Sequence, residues 1–174
     1  RRGLEMRVVF LDFDGVLNAV SDDSSPALGE LWSAAWLDRG LVERLATIVD
    51  RSSAVVVISS SWRQRRTREE LAEMLASHGL RGEVLDVTPR LPKPPEGERR
   101  VRAAEIEAWL DAHDPVEGFV VLDDEPDMGR LTRQHVRTDP TTGISDDDVA
   151  RALEILCAGC AAPDGRARSS SEDE

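Results

Sequence analysis

Lysine is almost absent from this chain: among the 22 basic residues in 174, only Lys93 is not an arginine. Any role that requires an ammonium group therefore has a single candidate. Long apolar runs are missing as well. No stretch approaches the roughly 20 consecutive apolar residues of a membrane span, and the N-terminus lacks the apolar core of a secretory signal. A soluble, cytoplasmic protein without a membrane partner is expected. Cysteine is scarce, with Cys157 and Cys160 forming one C-x-x-C. Zinc normally takes four ligands, and His78, His113 and His135 show no spacing that would complete such a site. The pair is read as two half-buried thiols on one helix turn in preference to a redox dithiol. An excess of positive charge is also lacking. A formal charge of -12 repels polyanions at long range and argues against a general nucleic-acid coat. It leaves room for a local basic site, because arginines gather at 63, 65, 66 and 68 and again at 99, 100 and 102. Solvated helix starts and a phosphate-facing rim are both open readings of these clusters.

What the chain does have is one domain's worth of residues and 40% apolar content, enough for a sizeable core. Residues 1–5 precede Met6 and are taken as an N-terminal extension or cloning scar. Residues 6–160 are expected to form one domain, and 161–174, polar and low in complexity, a disordered tail.

The apolar runs arrive as strands alternating with helices, the pattern of a parallel sheet covered on both faces. Strands are expected at 7–12, at 54–59, whose β-branched centre is the clearest buried strand, at 83–87, at 119–122 and at 135–138. Helical spacing appears at Leu41, Leu45, Ile48 and Val49, at 67–78 before Gly79, at 101–112, and from Ser145 to about Cys157. Ser145 reads as an N-cap, with Asp146, Asp147 and Asp148 suited to the positive end of the helix dipole. The segment 18–36 reads as a loop with a short helix near Leu31, and the proline-rich 88–100 as another loop.

Three of these strands end in groups suited to phosphoryl transfer. Asp12-Phe13-Asp14-Gly15 follows the first, Ser59-Ser60-Ser61 the second, and Asp123-Asp124 a later one. If the strands are parallel, their carboxyl ends share one edge and the side chains converge in one crevice. Taken singly, each run is also an ordinary acidic turn or helix cap.

In this order and spacing the motifs resemble the haloacid dehalogenase (HAD) superfamily. Its Asp-x-Asp-x-[Thr/Val] is matched by Asp12 to Val16, its strand ending in Ser or Thr by the serine run, and its paired or spaced aspartates by Val121 to Asp127. The chain is more closely similar to the small HAD phosphatase-like domains associated with RNA-repair proteins. That similarity lies in Ser60 to Arg63, in Arg102 with Glu105 to Leu110, in Leu122 to Met128 and in Thr138 to Gly143. The superfamily resemblance covers Arg7 to about Cys157.

The resemblance implies a Rossmann-like α/β three-layer sandwich with a five-stranded, mostly parallel sheet in the order 5-4-1-2-3. It also implies Mg²⁺-dependent phosphoryl transfer through an aspartyl-phosphate. Asp12 would attack phosphorus, and Asp14 would protonate the leaving oxygen and later activate water. Haloacid dehalogenases lack that second aspartate, so Asp14 points to a phosphatase or phosphomutase. Mg²⁺ takes oxygen ligands and would suit Asp12, Asp124 and the main-chain carbonyl of Asp14, with Asp123 or Asp127 direct or through water. Alignment on Trp62 favours Ser60 as the phosphoryl ligand, and alignment on the end of the apolar run favours Ser59. Ser60 is preferred, with Ser59, Ser61, Arg63 and Gly15 as further substrate contacts. The third motif normally carries a lysine at a helix start. Here Arg102 is the first candidate and Lys93 the second.

Only about 40 residues separate the first two motifs, which leaves no room for a large cap. Capless members of the superfamily act on macromolecular or large substrates. The resemblance thus implies a phosphomonoester substrate, with an RNA or DNA end or a nucleotide as candidates, and no obligate protein partner is indicated. Trp32 and Trp36 could stack a base, though core packing is the preferred use. The alternatives are a phosphatase of a small metabolite, a phosphomutase, disfavoured because no cap excludes water, and a noncatalytic phosphate-binding or partner-docking module.

Overall fold

The computed structural model describes residues 6–20, 32–92 and 101–158. The expected N-terminal extension, the 161–174 tail, Lys93, Arg99, Arg100, Cys160 and the short helix near Leu31 lie outside these residues. Five parallel strands form one sheet: β1 (Arg7–Leu11), β2 (Val55–Ile58), β3 (Val84–Val87), β4 (Gly118–Asp123) and β5 (His135–Arg137). Their order is β3-β2-β1-β4-β5, the expected order counted from the other edge. Among the described residues, four α-helices pack on the sheet: α1 (Arg39–Ser52), α2 (Arg68–Ser77), α3 (Val101–Ala112) and α4 (Asp146–Cys157).

Period-2 alternation on the central strands builds two cores. Val9, Leu11, Val56, Ile58, Val120 and Leu122 face α1, α2 and α4 through Leu41, Leu45, Ile48, Leu71, Leu75, Leu153 and Leu156. Val8, Phe10, Val57 and Val121 face α3 through Ile106 and Trp109. Each fully buried large apolar side chain contributes about 1.5–3 kcal/mol relative to exposure. Because the central strands β1, β2 and β4 are buried on both faces, their sequences read as continuous apolar runs.

The helix starts are specified locally. Asp38 accepts from Leu41 N–H at the head of α1. Reciprocal capping boxes, Thr67 with Glu70 and Ser145 with Asp148, open α2 and α4. At the other end of α4, Cys157 is exposed, which corrects the half-buried expectation for that thiol: it falls on the last residue of the helix, past the packed face. Trp32 and Trp36 are partly buried against the larger core. Among the described residues, no second domain is inserted between the strands, and no helix is long and apolar enough to cross a membrane.

The chain runs outward from β1 to β2 and β3, then returns to the opposite side of β1 for β4 and β5. The strand order therefore reverses between β1 and β4, and the crevice beyond their carboxyl ends is where such sheets bind ligands. Asp12 and Asp123 stand there.

Candidate active site

Asp12 follows the last residue of β1 and is 5% exposed. Its N–H continues the ladder to Leu122 O at 3.0 Å. Its Oδ1 accepts from Phe13 N–H at 2.8 Å and lies 3.1 Å from Arg102 Nη1, so the carboxylate is anchored from two sides. The same Nη1 donates to Asp123 Oδ2 at 2.8 Å. Arg102 sits in the first turn of α3, and a single nitrogen of its guanidinium thus joins the ends of β1 and β4. Burial opposes its charge, but Asp12 and Asp123 outweigh burial and raise its pKa.

Ligand oxygens of Asp12, Asp123 and Asp124 lie within 4.8 Å of one another. Burial and the charge of Asp12 push Asp123 up to about 7, against the pull of Arg102 and of a hydrogen bond from Glu125 N–H at 2.9 Å. Asp124 is raised by burial and then by Asp12. One arginine does not neutralise three clustered carboxylates. A hard divalent cation, which takes oxygen donors, fits this set and would relieve their repulsion. Gly15 completes the cradle. It adopts φ +73°, and a Cβ there would stand 2.7 Å from Asp124 Oδ2. Asp127 is not brought into the trio: it is exposed, and its Oδ1 accepts from Gly129 N–H at 2.9 Å.

Asp14, two residues beyond Asp12, is partly buried and accepts hydrogen bonds on both oxygens. Asn18 Nδ2 reaches Oδ1 at 2.9 Å, and the indole Nε1 of Trp62 reaches Oδ2 at 3.0 Å. Asn18 in turn accepts from Gly15 N–H at 3.0 Å, which fixes its amide. The turn is braced from 123 residues away by Thr138, whose hydroxyl donates to Gly15 O at 2.7 Å.

Ser59 and Ser60 are fully buried and Ser61 is exposed. Ser60 caps the short 3₁₀ turn Ser61–Gln64, accepting from Trp62 N–H at 3.3 Å. Among the described residues, the Ser59 hydroxyl has no hydrogen-bond partner. Arg63 differs from its expected substrate-binding place. Its side chain is only 3% exposed, and its donors go to the carbonyls of Ser59, Ser60, Thr88 and Pro89 and to the carboxylate of Glu105. These contacts use all five N–H groups of a guanidinium, so Arg63 clamps the serine loop and has none left for a ligand. Burial lowers its pKa, with Glu105 opposing. The neighbouring rim is also partly engaged: Arg65 lies over the Trp32 ring at 5.1 Å, and Arg66 donates to Trp32 O.

Asn18, Trp62, Glu105 and Thr138 are the structural partners that motif reading did not assign roles. Glu105 and Thr138 fall within the family-like segments, Asn18 opens the 18–36 loop, and Trp62 marks the register of the serine run. Nothing local marked the contacts they make across 3 to 123 residues.

A parallel five-stranded sheet with no inserted cap among the described residues, a paired aspartate after its central strand and an acidic trio at its switch point defines a small domain of the haloacid dehalogenase kind. A family model described as "HAD domain in Swiss Army Knife RNA repair proteins" matches residues 8–149, and the chain belongs to that family. Neither a search of curated proteins nor one of solved structures returned a match.

Proposed function

We propose that this protein is a Mg²⁺-dependent phosphomonoesterase that works through an aspartyl-phosphate on Asp12. The observation that carries this reading is the junction at Asp12. An anchored, buried carboxylate shares Arg102 with Asp123 and stands in one acidic trio with Asp124, while a second aspartate, Asp14, is held separately nearby.

Asp12, Asp124 and the main-chain carbonyl of Asp14 would hold the cation, with Asp123 beside them. When bound, it supplies positive charge that lets a carboxylate approach a phosphate dianion. The protein's own residues do the rest. Arg102 and the Ser60 hydroxyl draw the phosphoryl oxygens into position, and Arg102 also keeps Asp12 aligned. An oxygen of Asp12 forms a bond to phosphorus as the ester P–O bond breaks. Asp14, as the acid, gives its proton to the departing oxygen. Asp14, now a carboxylate, takes a proton from water as the water oxygen attacks the same phosphorus. The Asp12–phosphorus bond then breaks, releasing inorganic phosphate and restoring both aspartates to their starting protonation.

That no second domain is inserted among the described residues favours a large or exposed ester, and the family's RNA-repair description supports nucleic-acid ends as the substrate class. The net charge of -12 would limit non-specific adsorption of a polyanion.

The test is phosphate release from a nitrophenyl phosphate with Mg²⁺, with chelator, and in Asp12→Asn. Activity is expected only in the first case. A fully active Asp12→Asn protein would remove Asp12 as nucleophile. A panel of 3′- and 5′-phosphorylated oligonucleotides, mononucleotides and sugar phosphates then defines the substrate, with oligonucleotides expected to turn over fastest.

A further inference from the structure

The tryptophan of Ser60-Ser61-Trp62-Arg63 is 1% exposed, yet it makes polar contacts with two members of the site. Its indole N–H donates to Asp14 Oδ2 at 3.0 Å, across 48 residues of sequence. Its main-chain N–H donates to the Ser60 hydroxyl at 3.3 Å. The ring is locked against Phe13, centroid to centroid 5.0 Å, and the Trp62 carbonyl accepts from Arg65 and Arg66 N–H groups. An indole N–H is a donor only, so its partner must be an acceptor, and its direction is fixed once the ring is packed.

Asp14 needs such control. It lies in the turn beyond β1, only partly buried, and proton transfer requires its oxygen within hydrogen-bond reach of the departing group. Asn18 fixes one oxygen from within the same turn, four residues along the chain. Trp62 belongs to the loop after the neighbouring strand β2, which Arg63 and Glu105 clamp to α3. Thr138 braces the main chain of the Asp14 turn, whereas Trp62 reaches the Asp14 carboxyl itself from the loop of the neighbouring strand.

We propose that Trp62 is the positioning residue of the proton-transfer step: it holds the Asp14 carboxyl and the Ser60 hydroxyl in one fixed relation. This rests on the reading of Asp14 as proton donor. Because Trp62 acts through Asp14, its effect depends on how much protonation the departing oxygen needs. A nitrophenolate leaves with little help, whereas an alkoxide requires a proton.

The experiment compares kcat/KM for nitrophenyl phosphate and for an alkyl phosphate in the unmodified protein, in Trp62→Phe, and in a protein carrying benzothienylalanine at 62. The last keeps the bicyclic shape without the N–H, and so controls for packing or folding defects in the phenylalanine variant. Loss of the N–H is expected to lower kcat/KM for the alkyl ester about tenfold or more while changing the nitrophenyl ester by less than about threefold, within the range of general acid catalysis. Equal losses on both esters in the benzothienyl protein, or no loss on the alkyl ester, would overturn the role of Trp62 while leaving the phosphatase reading intact. Absence of hydrolysis by the unmodified protein with both esters would overturn the two readings together.

Discussion

Arg63 and Glu105 form a buried ion pair, their side chains 3% and 8% exposed, that ties the loop after β2 to the helix carrying Arg102. Glu105 Oε1 also accepts from Leu91 N–H at 3.2 Å, so one carboxylate gathers the ends of β2 and β3 onto α3. Through it Arg63, which also binds the carbonyls of Ser59 and Ser60, holds the serine loop against the helix that carries Arg102.

Removing one partner leaves the other charge buried and uncompensated. Glu105→Ala is expected to lose about 3–5 kcal/mol of stability, read as a lower midpoint in urea unfolding. Glu105→Gln, which can still accept from Arg63, is expected to lose less. Equal stability of the alanine variant and the parent would remove the pair from the frame of the fold.

Arg102 serves two carboxylates from one nitrogen, so charge and shape are separable by substitution. Arg102→Met is expected to lower kcat/KM by about 100-fold or more, as loss of a preorganised donor does. Arg102→Lys, which restores a point charge without the planar fork, is expected to recover part of that loss. A methionine variant within threefold of the parent would show that another cation does this work.

At Gly15, φ +73° and the proximity of Asp124 make any side chain costly. Gly15→Ala is expected to lose about 1–2 kcal/mol from the left-handed backbone alone, and to weaken cation binding because Asp124 must shift. Mg²⁺-induced thermal stabilisation, measured on the parent and the variant, checks this: the variant should require a higher concentration for the same rise in Tm.

Asp123 carries a pH signature. Its folded-state pKa of about 7 lies above its ordinary 3.8. Between those values the folded protein holds a proton that the unfolded chain releases. Stability from this group is therefore greatest in acid and falls as pH rises through 4 towards 7. In the presence of chelator, unfolding midpoints between pH 5 and pH 8 should decline more steeply in the parent than in Asp123→Asn. Added Mg²⁺ should flatten the parent's slope, because a cation bound to the folded state stabilises it by mass action. Identical slopes in the two proteins would place Asp123 outside this titration.

The sequence by itself determined the strands and helices, and with them the strand ends at Asp12, Ser59 and Asp123. These depend on short-range physics: continuous apolar runs for strands buried on both faces, apolar spacing of three and four for helices, and capping residues at Ser145. Parallel pairing then placed those ends on one edge, which is why the acidic trio could be anticipated from its three aspartates. The tertiary structure decided where side chains point and what they meet. Arg63, one of four arginines between 63 and 68, turned inward because Glu105 and four carbonyls surround it. Asp127, three residues from Asp124, turned out to cap its own loop. Trp62 met Asp14 only because β2 lies beside β1. Periodicity records which residues are buried. It does not record which donor finds which acceptor once strands far apart in sequence have been brought side by side.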